Sequence, residues 1–304
     1  MLQVRRVPVL EIGGSHAAGA VVEVASDGVR QTFEVESETR VPLHPDWDAG
    51  ALIGAMVSAT AGLPVGDAGE WGIAIPGPFD YERGIALFTG HDVGKFASLG
   101  GVDLKAALLG KLPGNPVDAI FLNDADAFGR GEFAAGAGTG FDRVVCITLG
   151  SGVGSAFIDR GRIVADGPRV PPHGYAYLIE FDGKPLEDSV SRRAIRSHYT
   201  RLTGVDLDVA DIASLKRSGD ATADLVLDDA MTALGLALGP WCDAFDAQAL
   251  VIGGAFTGSW DLIQEPIENA IGQASRRRPP VVIRKATEGL TSSFIGAALA
   301  VLER

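Results

Sequence analysis

Two glycine-rich turns, each carrying a serine and each following an apolar run of β type, stand 137 residues apart in this chain. The first is Gly13-Gly14-Ser15 after residues 7–12, and the second is Gly150-Ser151-Gly152 after residues 144–148. Glycine lets backbone N–H groups approach a phosphate closely, and a nearby hydroxyl adds a donor or a magnesium ligand. Each turn alone is equally typical of a β-hairpin. Together, at equivalent places in two halves of the chain, they predict a nucleotide held between two lobes.

The pattern around the turns repeats along the chain. Each half begins with short strands separated by turn residues and continues with alternating helical and strand patterns. Such a repeat predicts an α/β fold built by internal duplication. The segments with helical spacing are 51–63, 103–109, 125–135, 190–202, 209–217, 221–245, 262–275 and 292–302.

Composition narrows the function classes. The net charge is −13, which argues against nucleic-acid binding because such proteins present a basic face. No apolar stretch approaches the ~18 residues of a membrane span, and the start of the chain does not resemble a signal peptide. Cys146 and Cys242 lie far apart in apolar segments, as buried thiols do in a reducing compartment, and no Cys-x-x-Cys pair suggests zinc. These features predict a cytoplasmic protein without membrane or nucleic-acid partners.

Polar residues follow a third apolar run, 119–122. Asn123-Asp124 either caps the helix that follows or presents a carboxylate at the edge of a sheet, where it is suited to act as a general base toward a hydroxyl. Both interpretations hold together. Asp126 is interpreted as an acid in the first turn of that helix.

Two further loops fit either a structural or a ligand-binding role. Gly253-Gly254, after residues 250–252, is either a tight β–α loop or a flat surface for the base or ribose of a nucleotide. Ile75-Pro76-Gly77-Pro78 either ends a strand or forms one wall of a sugar pocket.

Taken in order, these motifs resemble the ROK family (repressors, open reading frames and sugar kinases) within the actin-like ATPase fold, which is ribonuclease H-like. The resemblance covers nearly the whole chain. It is carried by 12–15, 72–78, 123–127 with Gly131-Glu132, 149–154, and 251–254.

The resemblance implies a duplicated two-lobe fold. Residues 1–122 would form the N-terminal α/β lobe, residues 123–290 the C-terminal lobe, and the helix 291–304 would pack back on the first. The activity implied is ATP-dependent phosphorylation of a hexose, usually at the 6-hydroxyl, with closure of the lobes excluding water.

The resemblance also assigns roles to residues. Asp124 would be the catalytic base, and Asn123, Gly77 and Pro78 would contact the sugar. Glu11 would lie near Mg²⁺. The residues assigned to ATP are Gly13, Gly14, Ser15, Gly150, Ser151, Gly152, Gly253 and Gly254.

The chain departs from the family at the first phosphate loop and on the sugar side. Glu11 stands where the family usually has Asp, and Tyr175-Ala176-Tyr177-Leu178 replaces Glu-x-Gly-His, with His173 just upstream as a candidate substitute. The cysteine-rich zinc loop is missing, as in the zinc-free branch seen in polyphosphate glucokinases. Glu187 matches a later sugar-binding glutamate, and Ser191 the serine after it.

His91 and Asp92 lie where the family places further sugar contacts. The alternative interpretation is that the two residues lie in a solvated loop. An acidic contact there would suit an amino sugar by charge pairing.

Three functions are therefore open. The first is an ATP-dependent sugar kinase acting on glucose or a modified or amino hexose, with Mg²⁺ and no zinc, and with a homodimer implied by family analogy. The second is a catalytically weak sugar or nucleotide binder, suggested by Glu11 and the missing Glu-x-Gly-His. The third is a sugar-responsive regulator, against which the first turn starting near residue 11 argues, because it leaves no room for a helix-turn-helix.

Overall fold

The computed structural model describes residues 2–44, 46–67, 69–89, 96–276 and 279–304. The elements of the first part of the chain are β1 Gln3–Ile12, β2 His16–Ser26, β3 Gln31–Pro42, α1 Ala49–Ser58, β4 Glu70–Ile75, β5 Phe79–Asp80, β6 Ile85–Ala86, α2 Leu104–Leu109, β7 Asp118–Asn123 and α3 Asp124–Ala135.

The remaining elements follow in chain order. They are β8 Arg143–Leu149, β9 Val153–Asp159, β10 Arg162–Ile163, β11 Glu180–Phe181, β12 Lys184–Pro185, α4 Glu187–Val190, α5 Arg192–Thr203, α6 Val209–Arg217, α7 Ala221–Phe245, β13 Ala249–Gly253, α8 Trp260–Ala274, β14 Val282–Lys285 and α9 Gly289–Leu302.

The chain divides into two compact units. Unit 1 comprises Met1–Ala135 and Leu290–Arg304, and unit 2 comprises Gly136–Gly289. The boundary expected after residue 122 therefore lies at Ala135, since α3 follows β7 without a break and packs against α9 within unit 1.

Unit 1 is built on a five-stranded sheet in the order β3-β2-β1-β4-β7. The first three strands form an antiparallel meander, whereas β1, β4 and β7 run parallel. Side chains alternate between the two faces, so Val9 and Ala18 pack under Phe294 of α9 while Leu10 packs with Met56 of α1. The sheet is therefore covered by helices on both faces.

Unit 2 repeats this topology. Its five-stranded sheet has the order β10-β9-β8-β13-β14, with an antiparallel meander followed by parallel β8, β13 and β14. Val145 and Leu250 of the sheet belong to one buried cluster with Leu234 of α7 and Ile267 of α8. Equal strand order in both units is the arrangement that a duplicated sequence produces.

Helix α7 is the central helix of unit 2. Asp220 caps its start by accepting a hydrogen bond from the N–H of Ala223 at 2.8 Å. Among the described residues it is the one helix long and apolar enough to cross a bilayer by length and composition alone, yet 61% of its apolar window is buried inside the structure. That burial is typical of a core helix.

The helix predicted over 190–202 is interrupted. Ser191 has extended backbone angles, and its hydroxyl accepts from the N–H of Ala194 at 3.3 Å, so it caps α5 and separates it from α4. Each strand of the hairpins β5–β6 and β11–β12 is only two residues long, which is too short to give a periodic pattern in the sequence.

Candidate active site

In unit 1, the residues predicted for catalysis lie at the carboxyl ends of the three parallel strands. Glu11 pairs in register with Ala74 near the end of β1, and Ile75 at the end of β4 pairs with Asn123 at the end of β7. Open α/β sheets bind ligands at this edge. The sheet therefore brings the first glycine turn, the Pro76–Pro78 loop and Asn123-Asp124 to one side of unit 1.

Asn123 is fixed on both sides of its amide. Its Oδ1 accepts from the N–H of Ala125 at 3.0 Å and of Asp126 at 3.3 Å, so it caps α3. Its Nδ2 donates to the hydroxyl of Tyr81 at 3.0 Å, and that hydroxyl donates to the carbonyl of Ile75 at 3.3 Å. Tyr81 thereby links the ends of β4 and β7 and holds the amide in one orientation.

Asp124 opens α3, partly exposed, with Asp126 two residues further on. Burial, and then the charge of Asp124, raise the pKa of Asp126 to about 7, although Arg130 opposes both effects. The first turn of α3 therefore holds two carboxyl groups, of which Asp126 keeps its proton up to near neutral pH. Asp124 sits beside the fixed Asn123 amide, where a base toward a bound hydroxyl would be needed.

The first glycine turn closes the β1–β2 hairpin. The N–H of Gly13 donates to the carbonyl of His16 at 2.9 Å, and the carbonyl of Ser15 accepts from Leu43 at 2.9 Å. Ser15 is exposed and Gly14 is partly exposed at the tip. The turn is thus held by its flanking strands while its tip stays open to a ligand.

Glu11 supplies a carboxylate beneath this turn. Its residue is 9% exposed, and its Oε2 accepts no hydrogen bond from any described residue. Nε2 of His16 lies 3.2 Å from this oxygen. A carboxylate oxygen is also a ligand that a hard cation such as Mg²⁺ prefers. The residues present therefore fit a divalent cation.

In unit 2, the second glycine turn links β8 to β9. The N–H of Gly150 donates to the carbonyl of Gly152 at 3.1 Å. Glu187 touches this turn: its Oε2 accepts from the N–H of Val153 at 3.1 Å and fills the space that a side chain at Gly152 would need. The N–H of Arg192 donates to the Gly150 carbonyl at 2.9 Å. The start of α4 and α5 therefore supports the turn from one side.

Gly253-Gly254 lies at the same edge of unit 2 as this turn, because β13 pairs with β8 in parallel and Gly253 stands opposite Thr148. Gly254 has a φ of 87°, and a Cβ there would fall 2.3 Å from the carbonyl oxygen of Leu149. Only glycine fits this position. The two loops predicted for ATP in this half are therefore neighbours.

The segment that replaces Glu-x-Gly-His carries aromatic rings. Tyr175 and Tyr177 stack with centroids 5.3 Å apart, and the ring of His173, exposed at a φ of 58°, lies 5.9 Å from Tyr175. Ser155 fixes the segment, donating to Gly174 at 2.6 Å and accepting from Ala176 at 2.7 Å. Histidine and tyrosine side chains thus lie together in the segment that the sequence analysis predicted to replace Glu-x-Gly-His.

The remaining candidate sites add nothing to the two sheet edges described above. His91 and Asp92 lie outside the described residues. In the described part of the chain, no three His, Cys, Asp or Glu side chains are grouped as a metal site, and Cys146 and Cys242 are buried. A cavity of about 780 Å³ in unit 2, lined by residues that include Lys184, Arg193, His198 and Arg201, contains none of the predicted site residues.

The sequence analysis predicted no role for two residues of this region, His16 and Tyr81. His16 lies diagonally across the hairpin from Glu11, with Nε2 3.2 Å from Oε2, and a tight turn closed at Gly13 would have predicted that proximity. Tyr81 reaches Asn123 from 42 residues away, for which no local signal exists.

Known proteins resemble this chain over nearly its whole length. The family model described as the ROK family matches residues 9–304. A glucokinase of Streptomyces coelicolor is 26% identical over 95% of both chains. A ROK hexokinase of Thermus thermophilus superposes with a TM-score of 0.75 at 24% identity, covering 98% of this chain and 99% of that one. A ROK family glucokinase of Streptomyces griseus, solved with glucose and AMPPNP, gives a TM-score of 0.75 at 24% identity, covering 97% and 98%.

These matches confirm the predicted α/β fold of the actin-like ATPase type and the resemblance drawn from the motifs. The family model spans both glycine turns, the Asn123-Asp124 pair and Gly253-Gly254. This chain belongs to the ROK family.

Proposed function

We propose that this protein is an ATP-dependent sugar kinase in which Asp124 is the general base and the 6-hydroxyl of a hexose is the acceptor. The observation that carries the proposal is the Asn123-Asp124 pair at the end of β7. Its amide is held by Tyr81, and its carboxylate lies on the same edge of the sheet as the first glycine turn. The glucokinase of Streptomyces coelicolor, which aligns with 95% of this chain, supports the same reaction class.

Asp124 accepts the proton of the sugar hydroxyl as the hydroxyl oxygen bonds to the γ-phosphorus and the bond to the β,γ-bridging oxygen breaks. ADP leaves with that oxygen. Phosphoryl transfer asks the protein mainly to position groups and to stabilise charge. Asn123 binds and orients sugar hydroxyls in this scheme, alongside the loop Gly77-Pro78.

The two glycine turns bind the phosphates through backbone N–H groups, and Gly253-Gly254 lies against the nucleoside. Glu11 would hold Mg²⁺, which when bound neutralises charge on the phosphates. The Streptomyces griseus glucokinase, solved with AMPPNP, supports ATP as the donor.

The acceptor is glucose or an amino or otherwise modified hexose. His173, Tyr175 and Tyr177 supply hydroxyl and ring nitrogen groups where related kinases have Glu-x-Gly-His, so this wall presents no carboxylate. Exchanging the partners of buried sugar hydroxyls changes substrate preference because an unpaired polar group costs about 1–3 kcal/mol.

A substrate panel tests the proposal. Purified protein is incubated with Mg²⁺, ATP or polyphosphate, and glucose, mannose, glucosamine or N-acetylated amino hexoses. ADP release is followed, and the product is identified by ³¹P–¹H correlation NMR. Phosphate on O6 of one sugar is the expected result. Folded protein that releases no sugar-dependent ADP contradicts it, and a product phosphorylated elsewhere corrects the hydroxyl.

The base assignment is tested with Asp124→Asn. We expect kcat to fall by about 10²–10⁴-fold, the usual contribution of a general base, while calorimetry shows AMPPNP still bound. Asp103→Asn is the matched control, because Asp103 also caps a helix of unit 1, through the N–H of Ala106 at 2.8 Å. Its turnover is expected to match the wild type. Full turnover in Asp124→Asn would remove Asp124 from the role of base.

A second candidate is a sugar- or nucleotide-binding protein with weak catalysis. It is favoured by the contact between the Glu187 carboxylate and the N–H of Val153, which occupies one donor of the second glycine turn. Tight binding of a sugar or AMPPNP by calorimetry, without turnover across the same panel, distinguishes it from the kinase.

A further inference from the structure

Three aromatic rings form a row in unit 2, which we call the aromatic row: His173, Tyr175 and Tyr177. The ring of Tyr175 lies 5.9 Å from that of His173 and stacks on that of Tyr177 at 5.3 Å, with 22° between the two tyrosine planes. Tyr177 ends the row and is 37% exposed. The face of an aromatic ring attracts cations, and such rings line the sites of proteins that bind ammonium ligands. The aromatic row therefore offers a surface suited to a positive charge.

The backbone that carries the aromatic row is held in one conformation. The hydroxyl of Ser155 donates to the carbonyl of Gly174 at 2.6 Å and accepts from the N–H of Ala176 at 2.7 Å. His173 has a φ of 58°, a left-handed conformation that residues with a side chain adopt only where the surrounding structure enforces it. Groups fixed in this way lose little freedom when a ligand binds.

The carboxylate of Glu187 is anchored beside the aromatic row. Its Oε2 accepts from the N–H of Val153 at 3.1 Å, and Val153 precedes Ser155 by two residues on β9, which is about 6.6 Å along the strand. Leu186, directly before Glu187, donates its N–H to the carbonyl of Ile179 at 2.8 Å, at the end of the segment that carries the rings. Two separate contacts thus hold the carboxylate and the aromatic row as neighbours.

Glu187 has no cationic partner in the part of the chain that the structure describes. Its one hydrogen bond there is the contact with Val153, which leaves Oε1 unpaired. Acids nearby in the sequence are paired: Asp188 lies 2.6 Å from Arg193, and Asp208 lies 2.6 Å from Arg192. A carboxylate next to aromatic ring faces, with no cation of the protein to balance it, gives this part of unit 2 a negative potential.

We propose that Tyr175, Tyr177 and Glu187 form a subsite for an ammonium group, and that the preferred acceptor of this kinase is therefore an amino hexose rather than glucose. A ring face and a carboxylate both interact more strongly with an ammonium group than with a neutral hydroxyl. That the acceptor lies in this part of unit 2 rests on the proposed function, in which the aromatic segment replaces Glu-x-Gly-His.

Competing acceptors test the role of the charge without any mutation. The ratio kcat/KM is measured with ATP and Mg²⁺ for glucose, for its 2-, 3- and 4-amino-deoxy derivatives, and for the N-acetylated form of each, which carries no charge. We expect one amino hexose to exceed glucose about tenfold or more, because a hydrogen bond to a charged group contributes more than a neutral one. Its N-acetylated form should lose that advantage.

The pH dependence of KM is a second readout of the same charge. We expect the KM for the amino hexose to rise above about pH 8, where amines such as the α-amino group lose their proton. The KM for glucose, measured over the same pH range, corrects for any effect on the protein itself. A parallel rise for both sugars counts against the subsite.

Variants identify the residues. Tyr177→Leu should lower kcat/KM for the amino hexose about 2–30-fold, the range of a contact between a cation and a ring, with little change for glucose. Tyr177→Phe retains the ring and should keep the preference. Glu187→Gln still accepts from Val153 and should reduce the preference about tenfold or more. Glu180→Gln, an exposed glutamate of β11, is the matched control and should behave as the wild type.

The outcomes separate this inference from the proposed function. Glucose used as well as every amino hexose, or a preference that survives both Tyr177→Leu and Glu187→Gln, overturns the subsite and leaves the kinase intact. If no sugar is phosphorylated, the kinase is contradicted and calorimetry decides the subsite. Binding of an amino hexose that Glu187→Gln weakens then supports the subsite, and the absence of such binding overturns it.

Discussion

Asp124 and Asp126 place two carboxyl groups in the first turn of α3, in environments that differ. Burial, and then the charge of Asp124, raise the pKa of Asp126 to about 7, so this group keeps its proton up to near neutral pH. Its ordinary value of 3.8 applies when the chain is unfolded. The folded state thus binds the proton more tightly, and this group stabilises the fold below about pH 4 and loses that contribution as the pH rises through 7.

Asp126→Asn should therefore gain stability relative to the wild type as the pH rises. We expect little gain at pH 5 and, at pH 8, an increase in the free energy of unfolding on the order of 1 kcal/mol or more, since each unit of pKa shift corresponds to about 1.4 kcal/mol. Urea denaturation followed by circular dichroism at the two pH values measures the difference. A difference that does not change with pH contradicts the raised pKa.

Tyr81 acts on Asn123 from outside the sequence motif. Tyr81→Phe removes the hydroxyl that accepts from Nδ2 and contacts the Ile75 carbonyl. We expect the KM for the sugar to rise several-fold with the KM for ATP nearly unchanged, and stability to fall by about 1 kcal/mol, the usual net value of a hydrogen bond. Steady-state kinetics with each substrate varied in turn checks the split. Equal effects on both KM values would mean that the hydroxyl only supports the fold.

At the scale of elements, α3 and α9 pack with their backbones almost in contact. A Cβ at Gly131 would stand 1.9 Å from the carbonyl oxygen of Ser292, and one at Gly296 would stand 1.8 Å from that of Ala127. The hydroxyl of Ser292 also donates to the buried carboxylate of Glu132 at 2.6 Å. Since α3 carries Asp124 at its start, this packing sets where the carboxylate lies.

Gly131→Ala and Gly296→Ala should each destabilise unit 1 by about 1–3 kcal/mol or more, because the obstructing atoms are backbone and cannot move aside. Gly54→Ala is the matched control: Gly54 lies in α1 with no atom within 4 Å of its added Cβ, so alanine should be neutral or stabilise the helix by up to about 1 kcal/mol. Urea titration measures all three. A neutral Gly131→Ala would mean that the two helices separate easily.

The elements that could be predicted from sequence are those with strong local signals. Helices α6 and α7 begin and end where the periodicity indicates, and Asp208 and Asp220 cap their first turns. The glycine turns and Asn123-Asp124 are likewise local patterns. The break at Ser191 and the proximity of His16 to Glu11 come from a local serine cap and a tight hairpin, so local signals for them existed. The role of Tyr81 depends on a contact 42 residues away, which a local pattern does not contain.

At the scale of the molecule, the two units share a strand order but differ in what their sheet edges carry. The edge of unit 1 carries carboxylates and an amide, Glu11, Asn123 and Asp124, beside one glycine turn. The edge of unit 2 carries the glycine loops 150–152 and 253–254. Duplication therefore supplied two equivalent edges, and the sequence of each then became specialised, with the groups suited to proton transfer in unit 1.

Ligand binding should raise the stability of the whole chain. A ligand that binds only the folded state at 100 times its Kd adds about 2.7 kcal/mol, which corresponds to a rise in Tm of about 5 °C or more for a unit of this size. We expect AMPPNP with Mg²⁺ to raise Tm, and the correct hexose to raise it further, in differential scanning calorimetry. Sorbitol, a polyol without a sugar ring, is the control and should leave Tm unchanged at the same concentration.

Asp124→Asn should keep both shifts in Tm, because it retains the binding groups while losing the base. If millimolar AMPPNP does not raise the Tm of this protein, ATP is not its phosphate donor. The two glycine turns would then be hairpin turns only.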